Sequence, residues 1–127
     1  MLRNFVKEIT IYHNPKCSTS RTVLKTLQEN KYKVKIIDYL KSPLTKNEIK
    51  SLLELLNLQP SELLRKKEPL AKELNLIENG ISESKVLTAM FENPILIERP
   101  VISDGTRAFI ARPLADFLPK IETHKLF

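Results

Sequence analysis

The chain has 127 residues and a mass of 14.7 kDa, enough for one compact domain, and its 42% hydrophobic and 28% charged content excludes a disordered or collagen-like chain. No apolar run approaches the roughly 20 residues of a membrane span, and residues 1 to 8 carry neither an export signal nor any other motif, so the expected location is the cytoplasm. Twenty-one Lys and Arg against fifteen Asp and Glu leave a net charge of +6, which favours anionic ligands, while scattered basic residues and few aromatics argue against nucleic acid.

Ile9-Thr10-Ile11-Tyr12 is β-branched and aromatic and runs into Asn14-Pro15, so it predicts a first strand entering a loop. Ser18, Thr19 and Ser20 are suited to capping a helix, and Arg21 to Asn30 follows without Gly or Pro, with Val23, Leu24 and Leu27 on one side. Val34 to Tyr39 is strand-like again, and a right-handed crossover makes these two strands parallel. Thr45-Lys46-Asn47-Glu48 fits a capping box ahead of Ile49, Leu52, Leu53 and Leu56. Further short helices are expected from Pro60 to Arg65, Pro69 to Leu74 and Ser82 to Phe91, which makes residues 44 to 93 a helical insertion within a single domain. Pro100 to Ser103, a turn at Asp104-Gly105 and Thr106 to Ile110 form a hairpin signal. Pro113 then fits the first turn of a last helix with Leu114, Phe117, Leu118 and Ile121 on its stripe, and His124 to Phe127 is expected to fray. The order is that of an α/β protein, compatible with a thioredoxin-like fold among other α/β arrangements.

Scarce residues narrow the chemistry. Gly80 and Gly105 are the only glycines, too few for a dinucleotide fingerprint or a P-loop. His13 and His124 lie at opposite ends and there is one cysteine, so neither a metal centre nor an internal disulfide is expected, and no bound cofactor is indicated. Cys17 falls between a strand end and a helix start, where free backbone N–H groups, the helix dipole and the neighbouring charges of Lys16 and Arg21 favour a thiolate. A lone cysteine is commonly an inert filler, but a filler belongs on a buried stripe, whereas this one sits between Asn-Pro-Lys and three hydroxyl residues. His13 is either a polarising neighbour of that thiolate or a surface histidine. Arg65, Arg99 and Arg112 stand at element ends, and guanidinium forks suit the grip of a tetrahedral oxyanion if the fold brings them together. Arg107 is a further candidate whose strand alternation permits either face.

Taken together, His13-Asn14-Pro15-x-Cys17-x-x-Ser20-Arg21, Leu63-Leu64-Arg65-Lys66, Asn93-Pro94-x-Leu96-x-x-Arg99-Pro100, Gly105-Thr106-Arg107 and Arg112-Pro113 resemble the glutaredoxin-coupled arsenate reductase family from about Ile9 to Phe117. The resemblance implies a thioredoxin-like fold with a helical insertion, Cys17 as nucleophile, His13 close to it, Arg65, Arg99 and Arg112 as an oxyanion clamp, and a cis Arg99-Pro100 bond. It also implies arsenate as substrate, with glutathione as co-substrate and glutaredoxin as partner. Since the chain owns one thiol and reduction of arsenate takes two electrons, the second sulfur must come from outside.

Two alternatives stay open. Relatives of the family include redox-responsive regulators that contact RNA polymerase through a Cys-x-x-Cys switch, but Ser20 stands in the second place here. A monothiol oxidoreductase without arsenate activity needs Cys17 but has less use for three arginines.

Overall fold

The computed structural model describes residues 8–127, which form two compact units. Residues 1–7, for which the sequence offers no motif, lie outside the described residues.

The first unit combines residues 8–38 with 99–127. Its strands are β1 (Glu8–His13), β2 (Lys33–Asp38), β3 (Val101–Ser103) and β4 (Ala108–Ile110), in the spatial order β2-β1-β3-β4. β1 runs parallel to β2 with Ile9 opposite Val34 and His13 opposite Asp38, as the crossover predicts, and antiparallel to β3 with Ile11 opposite Ile102. The crossover helix α1 (Ser18–Glu29) and the closing helix pack together over one face of the sheet. The buried residues there are Ile9, Ile11, Val23, Leu27, Ile102 and Ile121, with Phe109, Leu114, Phe117 and Leu118 partly buried against them. Alternation along β1 buries Ile9, Ile11 and His13 on one side, so the histidine points the same way as the core isoleucines.

Several boundaries differ from the sequence expectation. α1 begins at Ser18 because Cys17, extended at φ −94° and ψ 121°, is itself the N-cap, and the three hydroxyl residues lie inside the first turn rather than capping it. Asp104 to Arg107 forms a four-residue hairpin tip instead of a two-residue turn, because the Asp104 carboxylate accepts the Thr106 and Arg107 backbone N–H groups at 2.9 Å each. Arg107 therefore belongs to the tip, and it is exposed. The Arg99-Pro100 bond is cis as expected, and Arg112-Pro113 is cis as well. Pro113 caps the last helix of the chain (Leu114–Glu122) from outside instead of opening its first turn. The C-terminal residues do not fray: Leu126 is buried, and the Phe127 ring lies 4.8 Å from that of Phe109 and under the Arg107 guanidinium.

The second unit, residues 39–98, is helical. It holds α2 (Lys46–Leu56), α3 (Pro60–Leu63), α4 (Pro69–Glu73) and α5 (Glu83–Glu92), so the closing helix of the chain is α6. The predicted capping box is present: the Thr45 side chain accepts from the Glu48 N–H and the Glu48 carboxylate accepts from the Thr45 N–H. Ile49, Leu52, Leu53 and Leu56 form the buried stripe of α2, and Val86, Leu87 and Met90 that of α5. The predicted helical block is interrupted, since residues 74–82 are turns and caps, and a 3-10 turn, Pro94–Leu96, follows α5. Leu63 and Leu64 are tied to the unit's last residues by the Arg65 N–H to Leu96 O bond at 2.7 Å and the Glu98 N–H to Leu63 O bond at 2.9 Å.

Candidate active site

The loop from β1 to α1 is fixed before its side chains act. Asn14 is buried, its carbonyl accepts the Cys17 N–H at 3.0 Å, and its side-chain oxygen accepts the Lys16 N–H at 2.9 Å. Such an Asx turn closes the loop from within and sets Cys17 at the head of α1. Ser20, fully buried in the first turn, accepts the Asn14 N–H on Oγ at 3.1 Å and lies 2.7 Å from His13 Nδ1. With Oγ already accepting from Asn14, its own proton is available for Nδ1, which leaves the proton of the neutral ring on Nε2.

His13 is thus a buried residue, 6% exposed, and not a surface histidine. Burial holds its pKa below the ordinary value; the Asp38 carboxylate opposes that shift and the Arg21 charge assists it, so the ring is neutral near pH 7. Its hydrogen bond goes to Ser20, the residue whose backbone N–H bears on the Cys17 sulfur.

Cys17 is 9% exposed. Burial pushes its thiol up, but the Ser20 backbone N–H, a side-chain hydrogen bond from Arg99 and the charges of Arg112 and Arg99 outweigh it, and the thiol lies below its ordinary value. Arg112 donates Nη2–H to Sγ at 3.3 Å and Nε–H to the Arg99 carbonyl at 2.5 Å, so one guanidinium joins the sulfur to the open end of the hairpin. Arg99 itself is buried just before β3, and Arg112 lies just after β4. Two arginines bracket a single hairpin, and both act on one sulfur 82 and 95 residues away in the chain.

The other two candidates from sequence, Arg65 and Arg107, each have an acidic partner within their own unit. Arg65 belongs to the helical unit, where its Nη1 donates to Glu98 Oε1 at 3.0 Å and its Nε lies 4.0 Å from Glu68 Oε2. Arg107 pairs with Asp104 at 3.4 Å across the hairpin tip. Asn14 was not among the candidates from sequence, and Ser20 entered only as a cap and a place-holder for cysteine. The period-2 pattern Ile9, Ile11, His13 carried the signal that His13 faces α1. Among the described residues no group of His, Cys, Asp and Glu is arranged to hold a metal ion, and no helix is long and apolar enough to cross a membrane.

Residues 12–118 match the family model described as the ArsC family. The chain belongs to the ArsC family. It is 42% identical over 108 residues to the uncharacterized protein YfgD of Escherichia coli (strain K12), covering 84% of this chain and 91% of that protein. It is 38% identical over 105 residues to the arsenate reductase ArsI2 of Synechocystis sp., covering 83% and 75%. Among solved structures, the arsenate reductase from Vibrio cholerae superposes with a TM-score of 0.83 at 37% identity, covering 91% of this chain and 98% of that one. The α/β architecture seen here is the thioredoxin-like fold of ArsC proteins, as the resemblance implied.

Proposed function

We propose that the chain is an arsenate reductase that works through a Cys17 thiol-arsenate adduct and draws its reducing electrons from glutathione and glutaredoxin. The observation that carries this reading is the convergence of Arg112 and Arg99 on the Cys17 sulfur, which joins a nucleophile whose thiolate form they favour to donors for a tetrahedral dianion. The similarity to proteins that are named arsenate reductases supports it.

In the first step the Cys17 thiolate bonds to arsenic, and one arsenate oxygen takes up protons and leaves as water. Arg99 and Arg112 hold the remaining oxygens, whose charge they balance in the transition state. The thiolate of glutathione then attacks the Cys17 sulfur. The electrons of the S–As bond stay on arsenic, which goes from As(V) to As(III), while the two sulfurs are oxidised to a mixed disulfide. Glutaredoxin attacks the glutathione sulfur and returns Cys17 as a thiolate. His13 acts by holding Ser20, whose N–H stabilises that thiolate in each cycle.

The test is arsenate-dependent NADPH oxidation in the presence of glutathione, glutaredoxin and glutathione reductase. The parent is expected to be active, Cys17→Ser inactive, and Arg99→Ala reduced about 100-fold or more. The same assay on Arg65→Ala decides whether the third arginine of the resemblance joins the clamp. A parent that lacks arsenate dependence but still becomes glutathionylated at Cys17 would instead be a monothiol oxidoreductase.

A further inference from the structure

The charges of Lys16 and Arg21 are not among those that lower the Cys17 thiol. The groups that lower the thiol are the Ser20 N–H, Arg99 and Arg112, and the charge of Arg21 falls on His13 instead. Both side chains are exposed, and among the described residues neither has an acidic partner within ion-pair distance. The first turn of α1 contains no acidic residue, although a helix start favours anions and disfavours cations. Two exposed cations without an ion-pair partner among the described residues therefore stand at a helix start, where the dipole opposes them, one immediately before Cys17 in the chain and one a helical turn after it.

Their placement is defined. Lys16 precedes Cys17 in a loop pinned by Asn14, and the Arg21 N–H donates to the Cys17 carbonyl at 3.0 Å, one helical turn on. The Arg21 Nη1 donates to the Pro15 carbonyl at 2.8 Å, which folds the guanidinium back along the loop toward Lys16. Arg99 and Arg112, by contrast, bear on the sulfur itself, the former from a buried position.

We propose that Lys16 and Arg21 form the recognition rim for glutathione, receiving its carboxylates while its sulfur meets Cys17. This deepens the proposed function and rests on Cys17 being the thiolate that glutathione engages. The rim adds to the preference for the anionic tripeptide over neutral thiols and disulfides.

The experiment needs no arsenate. The full chain is mixed with oxidised glutathione or with the uncharged 2-hydroxyethyl disulfide, and the mixed disulfide at Cys17 is followed by mass spectrometry. In each case the Cys17 thiolate attacks one sulfur, the S–S bond breaks, and the other half leaves as a thiolate with the bonding pair. The parent is expected to favour oxidised glutathione, and Lys16→Gln or Arg21→Gln to lower the ratio of the two rate constants about threefold each, with the double variant losing about tenfold. Arg21→Lys, which keeps the charge, is expected to retain most of the ratio, and 1 M KCl to abolish it in the parent. Because the ratio cancels any change in thiol ionisation, a loss in both reactions alike would overturn the rim, as would a parent with no preference. A parent that keeps the preference yet reduces no arsenate would sink the reductase and leave the rim standing; arsenate reduction without the preference would do the reverse.

Discussion

Replacing Arg112 by Met tests how the thiol is acidified. The Arg112 Nη2–H meets the sulfur at 3.3 Å, and with Cys17 only 9% exposed solvent replaces little of what is lost. A hydrogen bond to a charged group contributes about 1.5 to 3 kcal/mol, and because Arg99 and the Ser20 N–H remain, the lower figure applies. Removing about 1.5 kcal/mol from the thiolate alone leaves roughly tenfold fewer ionised sulfurs at any pH below the thiol's own value. The assay is the second-order rate of iodoacetamide alkylation between pH 5 and 9, read by mass spectrometry. The variant's curve is expected to shift to higher pH, with a rate about tenfold lower on the acidic side and convergence with the parent where both sulfurs are ionised. Arg112→Lys, which keeps the charge but cannot span both Sγ and the Arg99 carbonyl, should fall between them. Coincident curves for parent and Arg112→Met would refute this account, and an equal loss at every pH would mean that Arg112 governs access and not ionisation.

Three further outcomes concern stability. Burial raises the Asp104 carboxyl, but the Thr106 and Arg107 N–H groups and side chains outweigh that and hold it at about 2, below its ordinary 3.8. Its stabilisation is complete above the ordinary value and lost as pH falls through about 2, so in urea titrations Asp104→Asn should remove about 1 to 2 kcal/mol of the parent's decline between pH 4 and 2. Leu126→Ala empties a buried site at the chain end and should cost about 2 to 3 kcal/mol, seen as a Tm lower by roughly 10 °C; an unchanged Tm would mean that the tail is loose in solution. Thr45→Ala opens the capping box of α2 and should cost about 1 kcal/mol in urea unfolding, with Thr45→Asp close to neutral.

What the sequence disclosed follows the range of the forces involved. The Thr45 to Glu48 box and the parallel crossover are local, and both appear as read. The start of α1 was misplaced because three hydroxyl residues look like caps, while the backbone of Cys17 takes that role and Ser20 turns inward to His13. Arg99 and Arg112 could be named as candidates, but their meeting at one sulfur is a property of the folded hairpin that no spacing encodes. The pairing of Arg65 with an acid 33 residues away has no signature in the local sequence, and for the C-terminal tail four residues are too few to show any period.

Arg99 enters β3 and Arg112 leaves β4, while the tip that joins these strands is an independent knot closed by Asp104. The end that carries the two arginines and the turning end of this ribbon are thus separable parts. A tip of different length or composition could be grafted between Ser103 and Ala108 with the guanidinium pair still delivered to the sulfur, so variation among such proteins can accumulate at that outer bend without touching their chemistry.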